Sequence, residues 1–145
     1  MADRDLKVMV SSTFRDLKAE REAARDAVLG QGMRPLMMET ESAVPDRGLL
    51  TNSFKLVDAA DIYVLLISNY RYGQIIPDPD PKSLCITELE FERAATKGLK
   101  ICAYLMENSV QPPSVAAVFA EAATKPQLDA FRARPSTLTE SLPTS

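Results

Sequence analysis

Two stretches of this 145-residue chain concentrate side chains able to do chemistry. The first is Ser11-Ser12-Thr13, three hydroxyls directly behind a hydrophobic run, with the adjacent opposite charges Glu20 and Arg21 in the segment that follows. The second is Cys85-Ile-Thr-Glu88-Leu, where Leu84, Glu88, Phe91 and Ala95 recur at helical spacing, so that one carboxylate interrupts an apolar stripe. A partly buried carboxylate at the mouth of a parallel sheet can act as nucleophile, or can stabilise a sugar oxocarbenium ion, when an N-glycosidic bond breaks. That role needs Glu88 near the opening of a crevice with a raised pKa. The plainer alternative is an acid favoured in a first helical turn by the macrodipole. Glu90 has the spacing of a capping-box partner for Thr87 and is not expected to be catalytic.

Winding the first helix at 100° per residue puts Phe14, Leu17, Ala24, Ala27 and Val28 on one face, with Arg21 inside that arc and Glu20 at its edge. A cation on a buried side must be paired or open to a cavity. Arg21 therefore either snorkels or pairs with a carboxylate, or it lines a pocket for a phosphate or carboxylate. The "SNYRYG" segment adds Tyr70, Tyr72 and Gly73, a pair of rings able to stack on a base or a partner, or simply to cover the sheet. Gly73 most simply permits a positive φ.

Composition removes other chemistries. There is no histidine, and the two cysteines, Cys85 and Cys102, have no CxxC spacing, so neither a zinc site nor a histidine triad can be assembled and no metal is expected. The net charge of −3 is spread over 17 basic and 20 acidic residues without a basic run, which argues against nucleic acid. The longest apolar run, "IYVLLI", is too short for a bilayer span or a signal sequence. A cytoplasmic protein with reduced thiols, no membrane contact and no resident cofactor is expected.

These residues must be held by alternating strands and helices. "LKVMV" (6–10) reads as a strand covered on both faces, "PLMM" (35–38) is a short apolar piece, and "DIYVLLIS" (61–68), β-rich and central, and "LKICAYLM" (99–106) read as further strands. Helices are expected near 14–29, capped by Thr13 with Asp16, near 52–60, and over "TELEFERAATKG", closed by Gly98. "VAAVFAEAA" and "QLDAFRAR" are further helical stretches, and 135–145 reads as a disordered tail behind a single domain, 1–134. The expected fold is α/β: a flavodoxin-like three-layer sandwich around a four- to five-stranded parallel sheet, whose ligands would sit at the carboxyl ends of the strands.

"KVMVSSTFRDLKAEREAARDAV", "DAADIYVLLISNYRYG" and "SLCITELEFERAATKGLKICAYL" together resemble a bacterial and eukaryotic domain-of-unknown-function family found at the N-terminus of large signalling proteins. There it precedes NACHT or AAA NTPase modules and tetratricopeptide or WD repeats. That family is similar to Toll/interleukin-1 receptor (TIR) domains and to nucleoside 2-deoxyribosyltransferases. Both comparisons carry a catalytic glutamate onto Glu88, although Glu90 stands where the transferases have glycine and their other active-site acid has no match. The resemblance implies a TIR-like signalling module that meets protein partners or its own copies. The alternative it implies is an N-glycosidase acting on NAD or a nucleotide, or a deoxyribosyltransferase-like enzyme, with Glu88 at the reacting bond. Arg21 would then hold phosphate, and Ser11, Ser12, Thr13, Glu20, Tyr70 and Tyr72 would form the rest of the site.

Overall fold

The computed structural model of the chain describes residues 6–13, 17–37, 47–73, 75, 84–112 and 114–140. Strands β1 (Lys7–Ser12), β2 (Arg34–Leu36), β3 (Ile62–Ile67) and β4 (Lys100–Leu105) form one parallel sheet in the order β2-β1-β3-β4. Helices α1 (Lys18–Gly30), α2 (Arg47–Ala59) and α3 (Ile86–Lys97) connect them; α4 (Val115–Ala120) and α5 (Lys125–Glu140) follow β4. This is a flavodoxin-like α/β sandwich on a four-stranded parallel sheet, with its topological switch point between β1 and β3.

The apolar runs are continuous because both sheet faces are used. Met9, Tyr63, Leu65 and Ile67 point to one face and join Val57 of α2, Phe91 and Ala94 of α3, and Leu128 and Phe131 of α5. Phe131 meets Phe91 and Tyr72 edge-on, with ring centroids 5.8 Å and 6.2 Å away, a favoured aromatic arrangement. Val10 and Leu66 point to the other face and meet Leu17, Ala24, Tyr70 and Ala117. There α1 lies over β1 and β2. Tyr104 pairs in register with Leu66, so it shares this second face, yet it is 62% exposed.

Several helix boundaries differ from expectation, each for a local reason. α1 starts at Lys18 behind Leu17, which makes no side-chain cap; Thr13 does not cap it, because its Oγ1 accepts a hydrogen bond from the Ser68 amide, 2.8 Å away. Phe14 and Asp16 lie outside the described residues. On α1, Leu17 and Val28 are buried as expected, whereas Ala27 is exposed. The α3 N-cap is Cys85, whose Sγ accepts from the Glu88 amide at 3.4 Å, so the capping box expected of Thr87 and Glu90 does not form. α3 ends as expected on Gly98, at φ 78°. α5 continues to Glu140, taking residues 135–140 of the segment read as tail into the helix.

Candidate functional site

The site is built where β1 and β3 end. Strand alternation turns Ser11 to the same side as Met9, beneath α3, and its hydroxyl donates to Oε1 of Glu90 at 2.5 Å. Ser53 of α2 also bears on that carboxylate, and so does the charge of Arg21. Glu90 is only 3% exposed. Burial pushes its pKa above the usual 4.5, against the opposing pull of Ser11, Ser53 and Arg21. A polar cluster thus sits inside the apolar core at the switch point, around the acid that sequence reasoning had assigned to a helix cap.

The other hydroxyls bind protein. Thr13 receives the Ser68 amide, and Ser68 Oγ in turn accepts from the Tyr70 and Arg71 amides, each at 3.1 Å. Thr87 Oγ1 donates to the Ser12 carbonyl at 2.9 Å. Together these contacts stitch the end of β1 to the end of β3 and to the start of α3. Gly73 closes the same corner at φ 113°, where a Cβ would lie 3.2 Å from the Thr13 carbonyl oxygen.

Glu88 is 5% exposed and both of its oxygens are engaged. The Tyr72 hydroxyl donates to Oε1 at 2.5 Å, and Arg134 of α5 donates to Oε2 at 2.6 Å while also reaching Glu92 at 3.1 Å. Tyr72 is fully buried and its oxygen accepts from the Cys85 amide at 3.1 Å. Burial raises the Tyr72 phenol well above its ordinary pKa and pushes the Cys85 thiol up to about 12, so both stay neutral at physiological pH. Arg134 also lies against the Phe91 ring, 5.1 Å from its centroid.

A second arginine of α5 fills the strand ends themselves. Arg132 donates to the Ser68 carbonyl at 2.9 Å and to the Met106 carbonyl at 2.8 Å, capping β3 and β4 together. Ligands of doubly wound sheets sit at the switch point, here the β1–β3 crevice, which borders these strand ends.

Of the residues singled out in the sequence, the structure brings together Ser11 and Arg21 around Glu90, and Glu88 with Tyr72. Glu20 is not among them: it is exposed on α1. Ser12 is partly buried and contributes a carbonyl, and Tyr70 is buried in the smaller cluster on the second sheet face. Sequence reasoning missed Glu90, Arg132 and Arg134. Leu128 and Phe131 at i and i+3, followed by Arg132 and Arg134, were the available sign that α5 docks on the core.

Among the described residues, no group of three or more cysteines and acids gathers as a metal cluster would, and no helix is long and apolar enough to cross a membrane.

The class is therefore a flavodoxin-like α/β domain in which α5 caps the ends of β3 and β4. A family model described as a domain of unknown function, DUF4062, matches residues 7–139, and the chain belongs to that family. No curated protein matches the sequence.

Proposed function

We propose that this domain is a TIR-like protein-interaction module of cytoplasmic signalling proteins, the type that precedes NTPase or repeat modules. One observation carries the reading: α5 is fixed on the carboxyl ends of β3 and β4 through Arg132, and its Arg134 engages the Glu88 carboxylate that a glycosidase would need free. Exposed apolar side chains accompany it. Tyr104, Val115 and Phe119 are 62%, 71% and 74% exposed.

The competing N-glycosidase reading places Glu88 at the anomeric carbon of NAD or a nucleoside. For that, the carboxylate has to shed both the Tyr72 hydroxyl and the Arg134 guanidinium and reach solvent. Thermal unfolding in the presence of millimolar NAD, AMP or deoxyadenosine separates the two. The module reading predicts an unchanged midpoint, because a ligand that does not bind the folded state does not stabilise it. A midpoint that rises with nucleotide concentration overturns it.

A further inference from the structure

We propose that two copies of this chain associate through antiparallel pairing of their β4 strands, which deepens the interaction-module reading and rests on it. β4 is the last strand of the sheet, paired with β3 alone among the described residues. Edge strands are ordinarily protected by proline, by bulges or by several charges. β4 reads Lys-Ile-Cys-Ala-Tyr-Leu, with one charge and no proline, and it pairs with β3 over all six residues without interruption.

Main-chain direction selects the register. The Met106 amide donates to the Ile67 carbonyl of β3, at 2.9 Å. Amide and carbonyl directions alternate along a strand, so Tyr104, Cys102 and Lys100 also turn their main chains to β3, leaving those of Ile101, Ala103 and Leu105 facing the open edge. A two-fold axis through Cys102 uses that pattern fully. Ile101 of each copy then exchanges both hydrogen bonds with Ala103 of the other. Cys102 faces its own counterpart as a non-hydrogen-bonded pair, and Lys100 lies across from Tyr104.

The side chains complement one another in this register. Lys100, Cys102 and Tyr104 share the second sheet face, so each exposed tyrosine ring receives the ammonium of the opposite copy, twice per dimer. On the other face, Ile101 and Ala103 set a large residue against a small one. Two four-stranded sheets become one continuous sheet, which satisfies the edge and covers Tyr104 without help from a different protein.

The test uses the whole chain. Sedimentation equilibrium over a concentration series is expected to show a reversible dimer that Tyr104→Lys weakens about tenfold, since it removes two cross-strand pairs and sets like charges opposite each other at both. The charge-swapped double variant Lys100→Glu/Tyr104→Lys is expected to restore it. Mild oxidation is expected to link copies through Cys102, since non-hydrogen-bonded partners lie about 4.5 Å apart and disulfides span about 4.4 to 6.8 Å between Cα atoms. The link is expected to vanish in Cys102→Ser and to persist in Cys85→Ser, because Cys85 is buried. Unchanged melting of Tyr104→Lys shows that the fold is intact; if that variant unfolds, Cys102 linkage in the otherwise native chain decides. A chain that stays monomeric without a Cys102 link overturns the pairing. A dimer that survives Tyr104→Lys and does not link through Cys102 also overturns it, while leaving the module reading in place. Stabilisation by NAD would instead strike at the module reading.

Discussion

Replacing Arg134 by methionine isolates the contact that holds α5 to α3. The substitution keeps most of the apolar stem against Phe91 and removes the guanidinium that donates to Glu88 Oε2 at 2.6 Å. Glu88 is left with the Tyr72 hydroxyl and a carboxylate whose side chain is 6% exposed. Breaking a fully buried ion pair from one side costs about 3–5 kcal/mol. Arg134, however, is 37% exposed, so water can reach the vacated position and screening reduces the loss. About half of the buried figure, ~2 kcal/mol, is the expected cost. At about 2.1 cal/mol/K per residue, 145 residues give about 0.3 kcal/mol/K, and the midpoint falls by about 7 °C. Calorimetry of Arg134→Met, Glu88→Gln and the double variant closes a cycle, whose coupling energy is expected near 1–2 kcal/mol. A midpoint shift below about 1 °C, or a coupling under about 0.3 kcal/mol, would refute the anchoring role of Glu88.

Two further substitutions test the polar corner. The pKa of Glu90 is raised in the folded state by burial, so its contribution favours folding below the unfolded value near 4.5 and is lost as pH rises through the raised folded value. Glu90→Gln keeps an acceptor for Ser11 and removes that dependence; its melting advantage over the native chain should grow as pH rises above the unfolded value, and a constant difference would show that burial does not raise the carboxyl's pKa. Gly73→Ala adds a Cβ at φ 113° and 3.2 Å from the Thr13 carbonyl, and should cost about 1–3 kcal/mol in denaturant titration. A neutral result would mean that the loop shifts freely from that contact.

The sheet was legible because continuous apolar strands alternate with capped or glycine-closed helices, and "IYVLLI" and "KICAYL" needed no tertiary information to be read as strands. Glu88 was legible as an odd acid in an apolar stripe, and it is buried as that spacing implied. Its partners were not. Arg134 is 46 residues away in sequence and comes from a helix whose short amphipathic pattern gave no docking direction. Glu90 was misread because local spacing suggested a cap for Thr87, whereas α3 begins at Ile86 with Cys85 as its N-cap, and its Glu90 accepts from Ser11 of β1. The hydroxyls of Ser11 and Thr13 were correctly placed at the carboxyl end of β1, but the choice between a ligand and neighbouring strands depends on long-range packing. Here each contacts protein: Ser11 donates to Glu90 and Thr13 accepts from Ser68.

The most direct test is overnight incubation of concentrated, folded protein with NAD and with deoxynucleosides, beside Glu88→Gln and Glu90→Gln, with released nicotinamide or free base read by chromatography. A module whose strand ends are capped by α5 predicts no release above the protein-free control for any of the three proteins. Release by the native chain that disappears in either variant would make this domain an N-glycosidase and contradict the reading of its site as structural.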